Sequence, residues 1–271
     1  MRLKRSLASV ALGSLMVSGA SAQVNFGPET YPHFRGMSGL SGGGFGVLAD
    51  GSTSLMGAMA ISTPIGFSLR DWHGVVGGES LSYTSSFTGF NVLPRSNSFS
   101  SDGVGQLMTG YGGRWGAVTV SYELLSTLLD HSWNLQYELP LPGKGYGVSV
   151  GVQDLTDHGG AEGEGIPPDG HNPSSRSYYA VGTVEIAKGL YASLGKGDIR
   201  FKNGVFGNAS YSVTPRVKLV GEYDTFGWNY CVAYGCGRIK GFLPPGHQIE
   251  PVLSLGYVSG NRALAMANFA F

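Results

Sequence analysis

Cysteine is nearly absent, with two in 271 residues, and charge is sparse, with 18 basic and 18 acidic side chains. After the first thirty residues no run of about 18 consecutive apolar residues occurs, which excludes helical membrane spans. Nor does any segment offer a convincing amphipathic helix of ten or more residues. Without the first 22 residues the chain is weakly acidic, which argues against a nucleic-acid partner that would call for a basic patch or stripe. No G-x-S-x-G occurs, and the glycine clusters "GLSGGGFG" and "GKGYG" lack phosphate-binding spacing; they read as strand or turn glycines.

What remains is 45 glycines with 14 Tyr, 13 Phe and 4 Trp, the composition of an exported β-protein. The chain opens "MRLKRSLASVALGSLMVSGASAQ". Arg2, Lys4 and Arg5 precede an apolar stretch from Leu7 to Val17 and a small-x-small site at Ala20-Ser21-Ala22, the pattern of a cleaved signal peptide over 1–22. No cysteine follows the cleavage site to carry a lipid. Cleavage removes three basic and no acidic residues, leaving the mature chain weakly acidic.

Period-two alternation dominates the rest. In "SWNLQYELP", Trp133, Leu135, Tyr137 and Leu139 alternate with Asn134, Gln136 and Glu138. "AVTVSYEL", "GYGVSVGVQD" and "RVKLVGEYD" behave alike, each with one apolar and one polar or tiny face. The tight links "GG", "PLPGK", "AKG" and "VTPR" alternate with longer links near 91–102, 125–131, 155–176 and 198–203. A transmembrane barrel sorts its links in this way, with short periplasmic turns and longer extracellular loops. A soluble sandwich has no reason to.

These observations predict an all-β, transmembrane, antiparallel up-and-down β-barrel of about fourteen strands, with twelve as the alternative count. The strands are expected near 36–49, 52–62, 79–90, 103–112, 114–124, 132–139, 145–155, 177–187, 189–197, 204–213, 216–224, 227–238, 249–258 and 262–271. Residues 23–35 are expected as a short periplasmic segment and 36–271 as the barrel. Phe269 and the terminal Phe271 resemble an outer-membrane assembly signal. Tyr111, Trp115, Trp133, Tyr146, Tyr178 and Tyr223, near strand ends, would lie at headgroup level. A lipocalin-like soluble barrel or sandwich is the competing reading of the same aromatics.

With the apolar face toward lipid, Glu123, Glu138, Asp154, Glu185, Lys196, Lys218 and Glu222 are expected to face the lumen. There they either tune which solutes pass or fill a narrow interior with hydrogen bonds and ion pairs. Cys231 and Cys236 read first as one disulfide closing a small loop, with a two-ligand metal site as the alternative. The six histidines, 33, 73, 131, 158, 171 and 247, all fall outside strand centres. His131 after Asp130 and His158 after Asp157 are the only approaches to a catalytic pairing, and no enzyme is expected. The dense run Asp154, Asp157, His158, Glu162, Glu164, Asp169 and His171 lacks calcium-loop spacing and reads as a strand end feeding an external loop. No metal and no cofactor are expected.

One region carries a resemblance. Gly151-Val152-Gln153-Asp154-Leu155, Ala187-Lys188, Leu194-Gly195-Lys196-Gly197, Gly204-Val205-Phe206-Gly207, and then Lys218, Leu219, Glu222, Tyr223 and Asp224 form an ordered series over 145–230. The series resembles the YjbH-like family of outer-membrane barrels, associated with exopolysaccharide production and export. Members of that family are longer and carry additional domains, and many are lipid-anchored, for which no cysteine stands near the expected cleavage site here. The resemblance implies a barrel linked to cell-envelope polysaccharide and offers no catalytic residues. The expected partners are outer-membrane lipid, the barrel-assembly machinery and polysaccharide, and the chain is expected as a monomer. A porin-like diffusion channel and a structural or adhesive envelope barrel with binding loops are the alternatives.

Overall fold

The computed structural model describes residues 34–81, 103–125, 131–157, 175–239, 248–258 and 262–271. The expected signal peptide, His33, and the acidic and histidine residues from His158 to His171 lie outside them, as does His247. Twelve strands form one closed antiparallel barrel in which each strand pairs with its neighbours in sequence. They are β1 (Gly74–Leu81), β2 (Gly103–Gly113), β3 (Gly116–Leu124), β4 (His131–Glu138), β5 (Tyr146–Gln153) and β6 (Ser177–Ala187). There follow β7 (Leu190–Gly197), β8 (Val205–Thr214), β9 (Val217–Tyr223), β10 (Trp228–Gly235), β11 (Glu250–Val258) and β12 (Arg262–Ala270). β12 closes the sheet against β1 from Val75↔Ala270 to Leu81↔Leu264. Beyond the strand, Phe271 exchanges backbone hydrogen bonds of 2.8 Å with Gly74, so the terminal residue extends the closing seam.

The alternation read from the sequence runs through the wall with the polar face inward. On β4, Ser132, Asn134, Gln136 and Glu138 are buried inside while Trp133 and Leu135 are exposed outside. On β10, Asn229, Cys231 and Ala233 point in, and Trp228, Tyr230, Val232 and Tyr234 point out. The outer surface carries large apolar side chains all round; Leu255 is 68% exposed and Leu194 58%. Such a surface is the inverse of a water-soluble domain.

Links 114–115, 139–145, 188–189, 215–216 and 236–249 lie at one end, the turn end. The strand ends that bound links 82–102, 125–130, 154–176, 198–204, 224–227 and 259–261 lie at the other, the loop end. The sorting by length holds at 114–115, 154–176, 188–189 and 215–216, but turn-end link 139–145 is longer than loop-end link 125–130, and beyond β9 link 236–249 is long and 224–227 short. Aromatic groups gather at both ends. At the turn end, Tyr111 lies 5.2 Å from Trp72 and 6.4 Å from Trp115. At the loop end, Tyr122 packs on Trp133 at 5.0 Å and Tyr223 on Trp228 at 5.5 Å. Tyr146 is exposed at the turn end and Tyr178 at the loop end.

Two expected strands, 36–49 and 52–62, are not in the wall, and the barrel begins at Gly74 instead of residue 36. These residues occupy the lumen. From 34 to 47 and from 57 to 69 every residue is buried, yet only isolated bridges such as Gly43↔Ala60 and Val47↔Ala58 appear there. The reason is one of volume. About eight strands enclose a space that side chains alone can fill, and larger barrels leave more. The inward residues of this wall are mostly small, so the remaining space takes a length of main chain.

Candidate functional site

The internal segment, 34–72, crosses the lumen three times. It starts at the loop end, where Phe34 packs with Leu125, Ile199 and Phe226. It descends to Asp50, at the mouth of a turn-end vestibule of about 600 Å³ that Arg70, Arg114, Glu138, Lys144 and Glu185 also line. Gly51, with φ +83°, and the Asp50 carboxylate, which accepts from Ser52 N at 3.0 Å, make the reversal. The chain climbs past Ser210, whose hydroxyl accepts from Met59 N at 3.1 Å, to residues 61–63 beneath the loop end. It then descends to Ser68 and Leu69 and enters β1 at the turn end.

A main chain without a ladder of its own must find partners for its amides or carry a penalty for each one buried. The wall supplies them. Glu222 is the hub. Its carboxylate accepts from Ile61 N and Ser62 N at 2.9 Å, Thr63 N at 3.2 Å, the hydroxyls of Ser62 at 2.7 Å and Thr63 at 3.0 Å, and Asn229 Nδ2 at 2.8 Å. Three successive amides converging on one anion form a nest, with the carboxylate of the wall as its guest. Lower down, Glu138 accepts from Ser68 N at 2.8 Å and from Arg70 at 3.1 Å. Gln136 Nε2 donates to the carbonyls of Ile65 and Phe67, and Asn208 and Asn268 donate to Pro64 O and Gly44 O. Apolar packing fills the gaps: Met37, Leu55, Met59 and Ile61 join Val220, Val252 and Leu264 of the wall.

Buried charge marks the loop end. Arg35 Nε donates to Asp224 Oδ2 at 2.8 Å, and the guanidinium stands 4.2 Å over the Phe226 ring. Arg200, on a single 3₁₀ turn (Ile199–Phe201), donates to Phe34 O at 2.5 Å and Ser62 O at 3.3 Å. Burial alone would raise the Asp224 carboxyl, but the neighbouring Arg35 and Arg200 hold it below its ordinary value. Burial lowers Arg200 to about 10, with Asp224 acting against the shift.

The expected lumen residues divide. Glu123, Glu138, Lys218 and Glu222 point inward and are buried. Glu123 and Glu138 sit at opposite ends of the wall, opposite Ser132 and Ala117 respectively. Neither oxygen of Glu123 has a hydrogen-bond partner among the described residues, and the same holds for Lys218 Nζ, which stands 5.5 Å over the Tyr191 ring. Asp154 is buried past the end of β5 with φ +54°; its amide donates to Asn134 Oδ1 at 2.8 Å, and its carboxylate accepts from Ser175 Oγ. Asp157 accepts from Ser175 N at 2.9 Å, so this pair of aspartates fastens the base of link 154–176. Glu185, beside a register shift near the turn end, is half-buried and lines the vestibule instead of the lumen. Lys196 faces outward. Tyr191, Ser193, Gly195 and Gly197 take the inward positions of β7, which leaves Lys196 exposed near the loop end.

The expected disulfide is not present. β10 runs regularly through Cys231, which points inward and is buried, and Cys236 follows the strand, exposed; both thiols are free. No turn between them brings the two together. Arg35, Arg70, Arg200 and Glu79 escaped the sequence reading because their partners lie far away in the chain. The signal that was available is that Asp50 is the only charged residue between Arg35 and Arg70, an unusual gap for a stretch expected to show a polar strand face.

Compared with protein-family models and with curated proteins, the chain matches none.

Proposed function

We propose that the chain is a bacterial outer-membrane β-barrel kept closed by its own amino-terminal segment, and that it serves exopolysaccharide assembly or export as an accessory and not as an open conduit. The observation that carries the reading is the filled lumen: a polar inner wall whose carboxylates and amides are bound to three passes of main chain. The apolar outer face, the strand lengths of 7 to 11 residues and the aromatics at both ends suit a hydrocarbon layer. The polysaccharide link rests on the resemblance over 145–230.

A general diffusion porin needs a continuous watery path. Here that path holds protein. Purified protein in a planar bilayer should therefore give no steady conductance step; a stable, porin-sized step would overturn the closed-barrel reading. Loss of the chain should lower surface polysaccharide, and an unchanged amount would remove the accessory role while leaving the barrel. A binding barrel is the second reading, favoured by the fastened base of link 154–176, and it shares the prediction of no conductance.

A further inference from the structure

The two ends of the lumen segment lie at opposite ends of the barrel. Its carboxyl end joins β1 at the turn end, where Trp72 N donates to Gly110 O at 2.9 Å and Gly74 meets Phe271. Its amino end is held at the loop end. Arg35 binds Asp224, just past the end of β9, and Arg200, between β7 and β8, reaches Phe34 O. Phe34 sits fully buried among Leu125, Ile199 and Phe226, all loop-end residues. Between the two ends the interior is occupied. The three passes pack against each other and the wall, and an added methyl at Gly43, Gly46 or Gly57 would strike main-chain atoms of the same segment at 3.1, 2.0 and 2.3 Å. The passes therefore lie main chain to main chain along this part of the lumen.

We propose that the chain preceding Phe34 leaves the barrel at its loop end, so that the mature amino terminus is threaded through the lumen and presented on the cell surface, while Phe271 stays on the periplasmic side. This rests on the outer-membrane reading above and reverses the expected periplasmic placement of residues 23–35. It makes the barrel a carrier for its own leading segment. The odd number of passes is the decisive feature: one or three crossings deliver the amino end opposite to β1, and two would return it.

Thiol labelling of intact cells tests the proposal. In a Cys236→Ser background the remaining native thiol, Cys231, is buried. Single reporters are then placed before the segment (Pro28→Cys), in the longest loop-end link (His171→Cys) and in a turn (Arg216→Cys), and exposed to a membrane-impermeant maleimide. Heat-modifiable migration in gels verifies that each variant is folded, and Asn25→Cys serves as a second leading-segment reporter. The expected result is labelling at positions 28 and 171 on intact cells, with 216 labelled only after the outer membrane is permeabilised. Labelling at 171 but not at 28 or 25 until permeabilisation would overturn the threading while leaving the barrel reading intact. If 171 too is reached only after permeabilisation, the surface orientation fails and the proposal with it.

Discussion

Arg35 and Asp224 are 189 positions apart in sequence and 2.8 Å apart in the lumen, at 2% and 0% exposure. This pair joins the leading end of the internal segment to the wall beside the loop end. A buried pair adds little by forming, but removing one partner strands the other charge at a cost of about 3–5 kcal/mol. Asp224→Asn keeps the shape and removes the charge that faces the Arg35 guanidinium at 2.8 Å. Its heat-modifiable transition should fall well below that of the wild type. An unchanged midpoint would mean that the pair does not secure the segment.

Acid should act through the same carboxyl. Asp224 titrates lower in the folded chain than in the unfolded one, where a carboxyl sits near pKa ~3.9. A depressed value means that its stabilisation is fully present above the unfolded pKa and is lost as pH falls through the folded one. The difference in midpoint between wild type and Asp224→Asn should hold steady from neutral pH down to about pH 5 and shrink once pH drops below about 4. A difference that vanishes already at pH 6 would assign the effect to another group.

Glu222→Gln tests the hub. The carboxamide retains one acceptor oxygen but turns an NH₂ toward amides that themselves donate, so at least one of the Ile61, Ser62 and Thr63 amides loses its partner. Hydrogen bonds to a charged group contribute about 1.5–3 kcal/mol each, and a loss of that order is expected in stability. Because the barrel wall itself is untouched, the freed segment should also show as intermittent current in planar bilayers where the wild type is silent. Equal stability and silence would show that the wall does not need this anion.

The wall was legible because an apolar outer face and a polar interior force period two on every strand; β2 to β12 lie within a few residues of their expected positions. The same rule explains the two failures in the interior. Segments 36–49 and 52–62 are rich in Gly, Ser and small apolar residues, as the strands are, yet they are buried over most of their length and so have no second face to alternate with. Composition alone does not tell a strand in the wall from an irregular pass within it. Lys196 failed for another reason. On β7 the glycines that flank Lys196, Gly195 and Gly197, are the inward ones, and the rings of Phe206 and Phe201 lie against them. Glu222 and Glu138 were readable as lumen carboxylates, but their ligands were not, since the donors are backbone amides 160 and 70 positions away.

Close backbone approach supplies the last test. Gly66, in the third pass, donates through its amide to Thr183 Oγ1 at 2.7 Å and accepts from Ser149 Oγ at 3.0 Å. A methyl there would lie 2.4 Å from Gly147 O and 2.8 Å from Thr183 N, main-chain atoms of β5 and β6 that cannot yield without moving the wall. The contact is mutual, for a methyl on Gly147 would meet Gly66 O at 2.6 Å. Gly105, on β2, is different: its nearest neighbours would be 3.9 Å away, an ordinary contact. Overpacking of a filled interior costs about 1–3 kcal/mol, whereas substitutions away from such features stay within about 0.5 kcal/mol. Gly66→Ala should lower the heat-modifiable midpoint and Gly105→Ala should leave it in place. Equal behaviour of the two would mean that the segment does not lie main chain to main chain against the wall, and the three-pass filling of the lumen would have to be redrawn.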